Sequence, residues 1–142
     1  MSKVAVVYWS GTGNTEMMAK AVAEGIEAVD SIVTLFTAAE FNSALIEDFD
    51  AVAFGCPSMG AEELEEYEFL PMFELVKGKL ENKNIALFGS YDWGDGEWMQ
   101  TWEDEVRSLG ANLVSEGLIA HLMPEAEDLE KSKKLGETLA KA

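Results

Sequence analysis

The chain alternates short apolar runs with longer amphipathic segments along almost its whole length. The apolar runs, such as residues 85–88, are continuous, which is typical of parallel strands covered on both faces. Strands are predicted over residues 3–9, 31–36, 51–55, 84–89 and 112–119. Helices are predicted over 15–28, 43–47, 64–76, 97–109 and 125–141, and Pro71 is expected to break or kink the third of them. This order predicts a doubly wound α/β domain of five strands.

The composition fits one domain over residues 1–142, since 48% of the chain is hydrophobic and this length can bury a full core. Lys and Arg number 10 against 27 Asp and Glu, a formal net charge of −17. This charge excludes nucleic acid as a partner, because binding there needs cations that neutralise phosphates, and it argues against an anionic membrane surface. It favours solubility, a monomer and attraction to basic partners.

Cysteine and histidine are scarce. Cys56 is the only cysteine and His121 the only histidine, which excludes an internal disulfide and most metal sites. Cys56 is predicted to be a small buried residue at a strand end, and His121 a surface or packing residue near the end of the last strand. No leader peptide or membrane-spanning run is visible, so we expect a cytoplasmic protein.

The first loop follows the first predicted strand and is rich in glycine and hydroxyl groups. Its sequence is Ser10-Gly11-Thr12-Gly13-Asn14-Thr15. Free N–H groups and the dipole of the following helix favour an anion there. No Lys stands at the P-loop spacing, and Glu16 replaces the third glycine of the dinucleotide fingerprint. The loop therefore suits a single phosphate monoester; the alternative is a polar turn in which Asn14 or Thr15 caps an ordinary helix.

Two further loops are unusual, and each follows a predicted strand. The second loop comprises residues 55–63, and the third loop, residues 89–98, places aromatic rings among glycines. Ligands of doubly wound sheets bind at the carboxyl ends of the strands, so we expect the three loops to meet. Trp93 is predicted to contact a flat ligand, whereas Trp98 and Trp102 are predicted to fold back onto the core.

Together the three loops resemble those of a short-chain flavodoxin, closest to the clostridial type of anaerobic bacteria. The matching stretches are the first loop, Gly55-Cys56-Pro57-Ser58-Met59-Gly60 and Gly89-Ser90-Tyr91-Asp92-Trp93-Gly94-Asp95-Gly96. The resemblance covers essentially the whole chain. It implies the flavodoxin-like α/β fold, a five-stranded parallel sheet in the order 2-1-3-4-5 with helices on both faces, and non-covalent FMN.

The resemblance also implies the residues that bind FMN. The phosphate would lie on Ser10, Thr12, Asn14 and Thr15, helped by Ser90. The whole implied set is Ser10, Gly11, Thr12, Gly13, Asn14, Thr15, Ser58, Met59, Gly60, Ala61, Glu62, Ser90, Tyr91, Asp92, Trp93 and Gly94. No metal and no catalytic residue is implied.

Around the isoalloxazine ring, the resemblance implies that Trp93 stacks on the outer face, that Met59 packs against the inner face, and that Glu62 contacts N3–H. The backbone around Gly60 and Ala61 would reach N5 and O4, and the amides near Asp92 and Gly94 the pyrimidine edge. Asp92 stands where close relatives usually carry glycine, and Ala61 where an acidic residue is common.

The implied function is low-potential one-electron transfer, mainly between the semiquinone and hydroquinone of FMN. Gly60 is suited to a peptide flip that lets its carbonyl accept the N5 proton, because glycine adopts positive φ at little cost. Like charges near the ring disfavour the anionic hydroquinone. The acidic residues expected there are Glu62, Glu63, Glu65, Glu66, Glu68, Asp92, Asp95 and Glu97, with no nearby Lys or Arg. The same stretch also suits a solvated helix start.

The partners implied by the resemblance are ferredoxin-type oxidoreductases and flavoprotein reductases with basic docking patches. The main alternative is an FMN-dependent quinone or flavin reductase of the same fold. Such an enzyme needs a substrate pocket over the flavin, whereas every connection here is short and Trp93 would obstruct hydride delivery.

Two other classes of protein are excluded because the residues they need are missing from the expected positions. A low-molecular-weight phosphatase needs Cys-x5-Arg, and counting from Cys56 reaches Glu62, while the only arginine is Arg107. A receiver domain needs an acidic pocket and a phosphoacceptor Asp. The sequences Trp9-Ser10-Gly11 and Gly55-Cys56-Pro57 occupy those places.

Overall fold

A parallel sheet forms the centre of the molecule in a computed structural model that describes residues 2–60 and 62–142. The strands are β1 (Lys3–Tyr8), β2 (Ile32–Thr37), β3 (Ala51–Gly55), β4 (Asn84–Tyr91), β5 (Asn112–Leu113) and β6 (Leu118–His121). The helices are α1 (Asn14–Ala28), α2 (Phe69–Val76), α3 (Glu97–Ser108) and α4 (Ala126–Lys141), with 3-10 turns at Ala38–Glu40, Leu45–Asp48 and Lys77–Lys79. The sheet order is β2-β1-β3-β4-β5, with β6 also paired to β4, which confirms the predicted 2-1-3-4-5 order.

Helices cover both faces of this sheet. Successive residues of a strand point to opposite faces, so Ala5 and Val7 of β1 join the core beneath α2 and α3. Val4 and Val6 join the core beneath α1 and α4. Burial on both sides explains why the strands are continuous apolar runs in the sequence. Among the residues described, no helix is both long and apolar enough to cross a bilayer.

The prediction of one continuous strand over 112–119 is wrong, because this part of the chain forms two short strands, β5 and β6. Both pair with β4 in parallel. Between them the N–H of Gly117 donates to the Glu103 carboxylate of α3 instead of to a neighbouring strand. A carboxylate of α3 therefore accepts a hydrogen bond that a neighbouring strand would otherwise accept.

The third predicted helix, 64–76, begins later than the sequence indicated, at Phe69. The carboxylate of Glu65 accepts hydrogen bonds from the N–H groups of Tyr67, Glu68 and Phe69 at 2.9, 2.8 and 2.8 Å. These bonds occupy donors that a longer helix would have paired internally. Pro71 consequently lies in the first turn, where its missing N–H costs nothing, so the expected break does not occur. The predicted helix over 43–47 is a 3-10 turn, Leu45–Asp48.

Helices α1 and α4 approach each other until their backbones touch. A Cβ atom added to Gly25 of α1 would lie 1.9 Å from the Lys133 carbonyl oxygen of α4. One added to Gly136 of α4 would lie 2.1 Å from the Val22 carbonyl oxygen. Only glycine permits this close approach. The contact holds α1, which begins at the end of the first loop, against α4.

Candidate functional site

The first loop forms a concave turn in front of α1. The Ser10 hydroxyl oxygen accepts hydrogen bonds from the N–H groups of Gly13 and Glu16 at 3.1 and 3.2 Å. Gly13 is the N-cap residue, with a left-handed φ of 96°, and Asn14 and Thr15 already lie inside the helix. The alternative of an ordinary helix capped by Asn14 or Thr15 is therefore wrong. Ser10 satisfies the Glu16 N–H of the first turn, and the other N–H groups of that turn, with the helix dipole, are available to an anion.

A pair of buried hydroxyl groups joins this turn to the end of β4. The Oγ1 atom of Thr15 and the Oγ atom of Ser90 lie 2.8 Å apart, and Thr15 also accepts the Ser90 N–H at 3.4 Å. Their side chains are only 1% and 5% exposed. Thr15 and Ser90 thereby bring the first and third loops together at the floor of a cleft.

The three loops meet in this cleft, as the sequence predicted. The lining residues are Ser10, Gly11, Thr12, Asn14, Thr15, Pro57, Ser58, Met59, Ser90, Tyr91 and Asp92. The floor offers hydroxyl groups and helix N–H groups and no cation, a donor set that fits a phosphate monoester. The residues present therefore fit the phosphate of FMN.

The second loop turns back on itself beside the cleft. Met59 and Glu63 exchange two backbone hydrogen bonds of 2.8 Å, and the Ser58 N–H donates to the Ser90 carbonyl oxygen at 3.0 Å. Gly60 has a left-handed φ of 52°, and the Met59 side chain is 38% exposed. Ala61, one of the implied contacts, lies outside the described residues. This geometry places Met59 at the cleft with its side chain free to meet a ligand.

The aromatic residues of the third loop divide as predicted. Trp98 and Trp102 are buried, and the Trp98 indole N–H donates to the Cys56 carbonyl oxygen at 3.3 Å, which confirms that both pack on the core. Trp93 is 57% exposed, and its contact with a flat ligand stays a prediction. Tyr91 lies between the Trp98 ring, 5.6 Å away, and the His121 ring, 5.0 Å away.

The acidic side chains divide into exposed and internal ones. Glu62 accepts the Glu97 N–H at 3.0 Å, and the carboxylates of Glu62, Asp95 and Glu97 lie within 4.8 Å of one another. The ion pairs found in the part of the chain that the structure describes include none of these three. This side of the third loop is therefore strongly negative.

Glu65 corrects the predicted acidic set, because its side chain is 4% exposed and does not face the solvent with its neighbours. Its three backbone donors replace water. Glu65 also donates its own N–H to the Cys56 sulfur at 3.4 Å, and burial raises the pKa of the Cys56 thiol. Cys56 is thus the buried packing residue that the sequence predicted.

Sequence reasoning missed the roles of Glu65 and His121. An acidic residue shortly before a helix is a signal that could have identified Glu65 as a cap. His121 is exposed, as predicted, and its Nε2 atom lies 3.1 Å from the Asp92 carbonyl oxygen. Nothing local in the sequence indicates that contact, because 29 positions separate the two residues.

Comparison with known proteins identifies full-length relatives. The flavodoxin family model matches residues 6–136. The flavodoxin of Megasphaera elsdenii is 38% identical over 139 residues, covering 98% of this chain and 99% of that protein. The flavodoxin of Clostridium beijerinckii is 42% identical over 133 residues, covering 92% of this chain and 96% of that protein. The solution structure of two-electron reduced M. elsdenii flavodoxin has a TM-score of 0.87 at 39% identity and covers 98% and 99%.

These comparisons show the family of the chain. The two relatives match over nearly the whole of both chains, and they are flavodoxins and not reductases. The match includes the first loop, which lies inside the matched residues 6–136. The chain therefore belongs to the flavodoxin family, whose members bind FMN and are electron carriers rather than enzymes.

Proposed function

We propose that this flavodoxin is a low-potential carrier of single electrons, which works mainly between the semiquinone and hydroquinone of FMN bound in the cleft. The observation that carries the proposal is the meeting of the three loops above the Thr15–Ser90 pair. FMN supplies the redox chemistry when bound, and the chain supplies position and electrostatics.

The hydrogen-bond donors on the cleft floor support binding of the FMN phosphate there. The hydroxyl groups of Ser10, Thr12 and Thr15 line the cleft together with Asn14. The N–H groups of the first turn of α1 add the positive end of the helix dipole. A phosphate bound there needs no lysine or arginine, in agreement with the composition of the first loop.

Two exposed apolar side chains support binding of the isoalloxazine ring between the second and third loops. Trp93 and Met59 are 57% and 38% exposed although most large apolar residues of the chain are buried. Covering an aromatic face is worth about 25 cal/mol per Å² of apolar area removed from water. An isoalloxazine ring between Trp93 and Met59 would remove both surfaces from solvent.

Gly60 supports stabilisation of the one-electron reduced state. Its φ of 52° is left-handed, a conformation that glycine adopts with little strain, and a Cβ atom added there would meet no other atom within 4 Å. A peptide at such a position can rotate so that its carbonyl accepts a hydrogen bond from N5–H. The Gly60 carbonyl would then act as an acceptor in one redox state and turn away in the other.

The acidic side of the third loop supports a low second potential. A second electron leaves a negative charge near Glu62, Asp95 and Glu97, and like charges at short range disfavour it. Each exposed carboxylate contributes little because salt and water screen it, so the effect is a sum over several groups.

The same negative surface supports the choice of partners. We propose ferredoxin-type oxidoreductases and flavoprotein reductases with basic docking patches, met by a monomer in the cytoplasm. The formal net charge of −17 favours fast, weak and salt-dependent encounters with such surfaces.

An anaerobic reductive titration followed by visible absorbance tests the proposal. We expect a yellow protein that passes through a long-lived blue neutral semiquinone before it bleaches. Reduction in one two-electron step would contradict one-electron transfer while leaving FMN binding intact. A purified apoprotein that remains colourless with added FMN would contradict the cofactor as well.

A further inference from the structure

The only histidine in the sequence lies where the last strand meets the third loop. His121 ends β6 and is paired in register with Tyr91, the last residue of β4. Beyond this pair, the Leu122 N–H donates to the Tyr91 carbonyl oxygen at 2.7 Å. The Nε2 atom of His121 lies 3.1 Å from the carbonyl oxygen of Asp92, which is the next residue along the third loop.

The chemistry of this contact fixes its direction. A carbonyl oxygen can only accept, so Nε2 carries the hydrogen and donates it. The centroid of the imidazole ring also lies 5.0 Å from that of the Tyr91 ring, with an angle of 40° between the two ring planes. His121 therefore makes two separate contacts with the third loop, one by its ring and one by its N–H group.

Leu122 provides an independent sign that the chain is constrained here. Its φ of 61° is left-handed, a conformation that a leucine rarely adopts. Backbone strain of this kind persists only where the surrounding contacts determine it. The strained residue follows His121 directly, so the end of β6 is shaped to meet the third loop.

The contact determines where the next amide points. The peptide between Asp92 and Trp93 is planar and trans, so its C=O and N–H groups point in opposite directions. The Trp93 N–H therefore points away from the carbonyl that His121 holds, and the contact fixes the orientation of this peptide within the third loop.

We propose that His121 is a positioning residue for the cofactor. Its Nε2–H group holds the Asp92 carbonyl, and thereby orders the part of the third loop that presents Trp93 to the flavin. The inference rests on the proposed binding of FMN in the cleft.

The third loop needs such an anchor because few buried contacts support it. Asp92, Trp93, Gly94 and Asp95 are all exposed. Exposed segments of this kind open locally at little cost in free energy. Fixing the carbonyl of Asp92 before the cofactor arrives reduces the ordering that binding must supply.

Two substitutions of the same residue separate the hydrogen bond from the ring. In His121→Phe the ring against Tyr91 is kept and the donor is lost. In His121→Gln the ring is lost, and an amide N–H replaces Nε2 at a similar distance from the backbone. The apoproteins are titrated with FMN, and the dissociation constant is taken from the quenching of flavin fluorescence.

We expect the dissociation constant of His121→Phe to rise about three- to tenfold, the equivalent of one ordinary hydrogen bond. His121→Gln should stay within about twofold of the wild type. Equal affinity in all three proteins would overturn the proposal. Equal weakening in both variants would also overturn it, because the effect would then belong to the ring.

Amide hydrogen exchange in the apoprotein gives a readout without the cofactor. We expect the amides of Trp93 and Gly94 to exchange faster in His121→Phe, with exchange inside β4 unchanged. Faster exchange throughout β4 would indicate a general loss of stability and would overturn the positioning role. A wild-type protein that binds no FMN would contradict the proposed function, while the exchange comparison would still decide whether His121 orders the loop.

Discussion

The hydroxyl groups of Thr15 and Ser90 lie 2.8 Å apart, although 75 positions of sequence separate the two residues. One belongs to the first turn of α1 and the other to the end of β4. The two elements that bind the phosphate in our proposal are therefore joined by a direct contact, which lies on the floor of the cleft.

Thr15→Val removes this hydroxyl group while it keeps the shape of the side chain. We expect FMN affinity to fall roughly tenfold or more, because a bond to a charged phosphate is lost and the Ser90 hydroxyl is left without its partner. The measurement is a fluorescence titration of the apoprotein with FMN. Thr34→Val, on the exposed edge strand β2, makes the same chemical change away from the cleft and should leave the affinity unchanged. Equal losses in both variants would contradict a role of Thr15 in binding.

Gly60→Val tests the peptide flip. A β-branched residue is strained at a φ of 52°, so we expect the maximum yield of blue semiquinone to fall severalfold during reductive titration. FMN affinity in the oxidised state should change less. Gly78→Ala is the matched control, since its added Cβ also meets no atom within 4 Å and its φ is not left-handed. An unchanged semiquinone yield in Gly60→Val would refute the switch.

Glu65→Ala tests the buried cap of α2. Three backbone N–H groups lose a charged acceptor in a nearly buried site, so we expect the free energy of unfolding in urea to fall by about 2–3 kcal/mol. Glu66→Ala, one residue on and exposed, should change it by less than about 0.5 kcal/mol. A loss of similar size in both variants would show that Glu65 acts as one more surface carboxylate.

Asp95→Asn tests the electrostatic account of the second potential. Coulomb's law in water gives about 0.4 kcal/mol for two charges on the order of 10 Å apart, or roughly 20 mV for one electron. We expect the semiquinone–hydroquinone potential to become less negative by about that amount at low salt, and by less at high salt.

Glu27→Gln is the control for this experiment. It removes the same charge from the exposed last turn of α1, about 20 Å along the helix from the first loop. Potentiometric titration should detect no shift. A shift as large as that of Asp95→Asn would attribute the effect to net charge, and would remove the reason to assign it to the third loop.

Much of the fold followed from local patterns. The continuous apolar runs predicted the parallel sheet, and the glycine- and hydroxyl-rich turn before α1 predicted where the cleft would lie. Both depend on neighbouring residues, so they are visible in the sequence. The resemblance of the three loops added the strand order and the cofactor.

What the sequence left unpredicted has two origins. Glu65 is a local case: its carboxylate caps N–H groups two to four positions on, and the run of acidic residues around it is equally typical of a charged surface. The other contacts join distant residues. The last strand is interrupted because Glu103 of α3 takes the Gly117 N–H. His121 contacts Asp92 only because β6 lies beside β4. No periodicity or propensity encodes such contacts, since they arise from the tertiary arrangement itself.

The backbone contact between α1 and α4 has a consequence for how the cleft responds to an electron. Helices that touch at Gly25 and Gly136 cannot slide past each other without a collision of main-chain atoms. We therefore expect the start of α1, at the phosphate end of the cleft, to keep its position. The side that can adjust is the second loop, where an atom added to Gly60 would meet nothing within 4 Å. Reduction of the cofactor would then move atoms mainly on the side of the second loop.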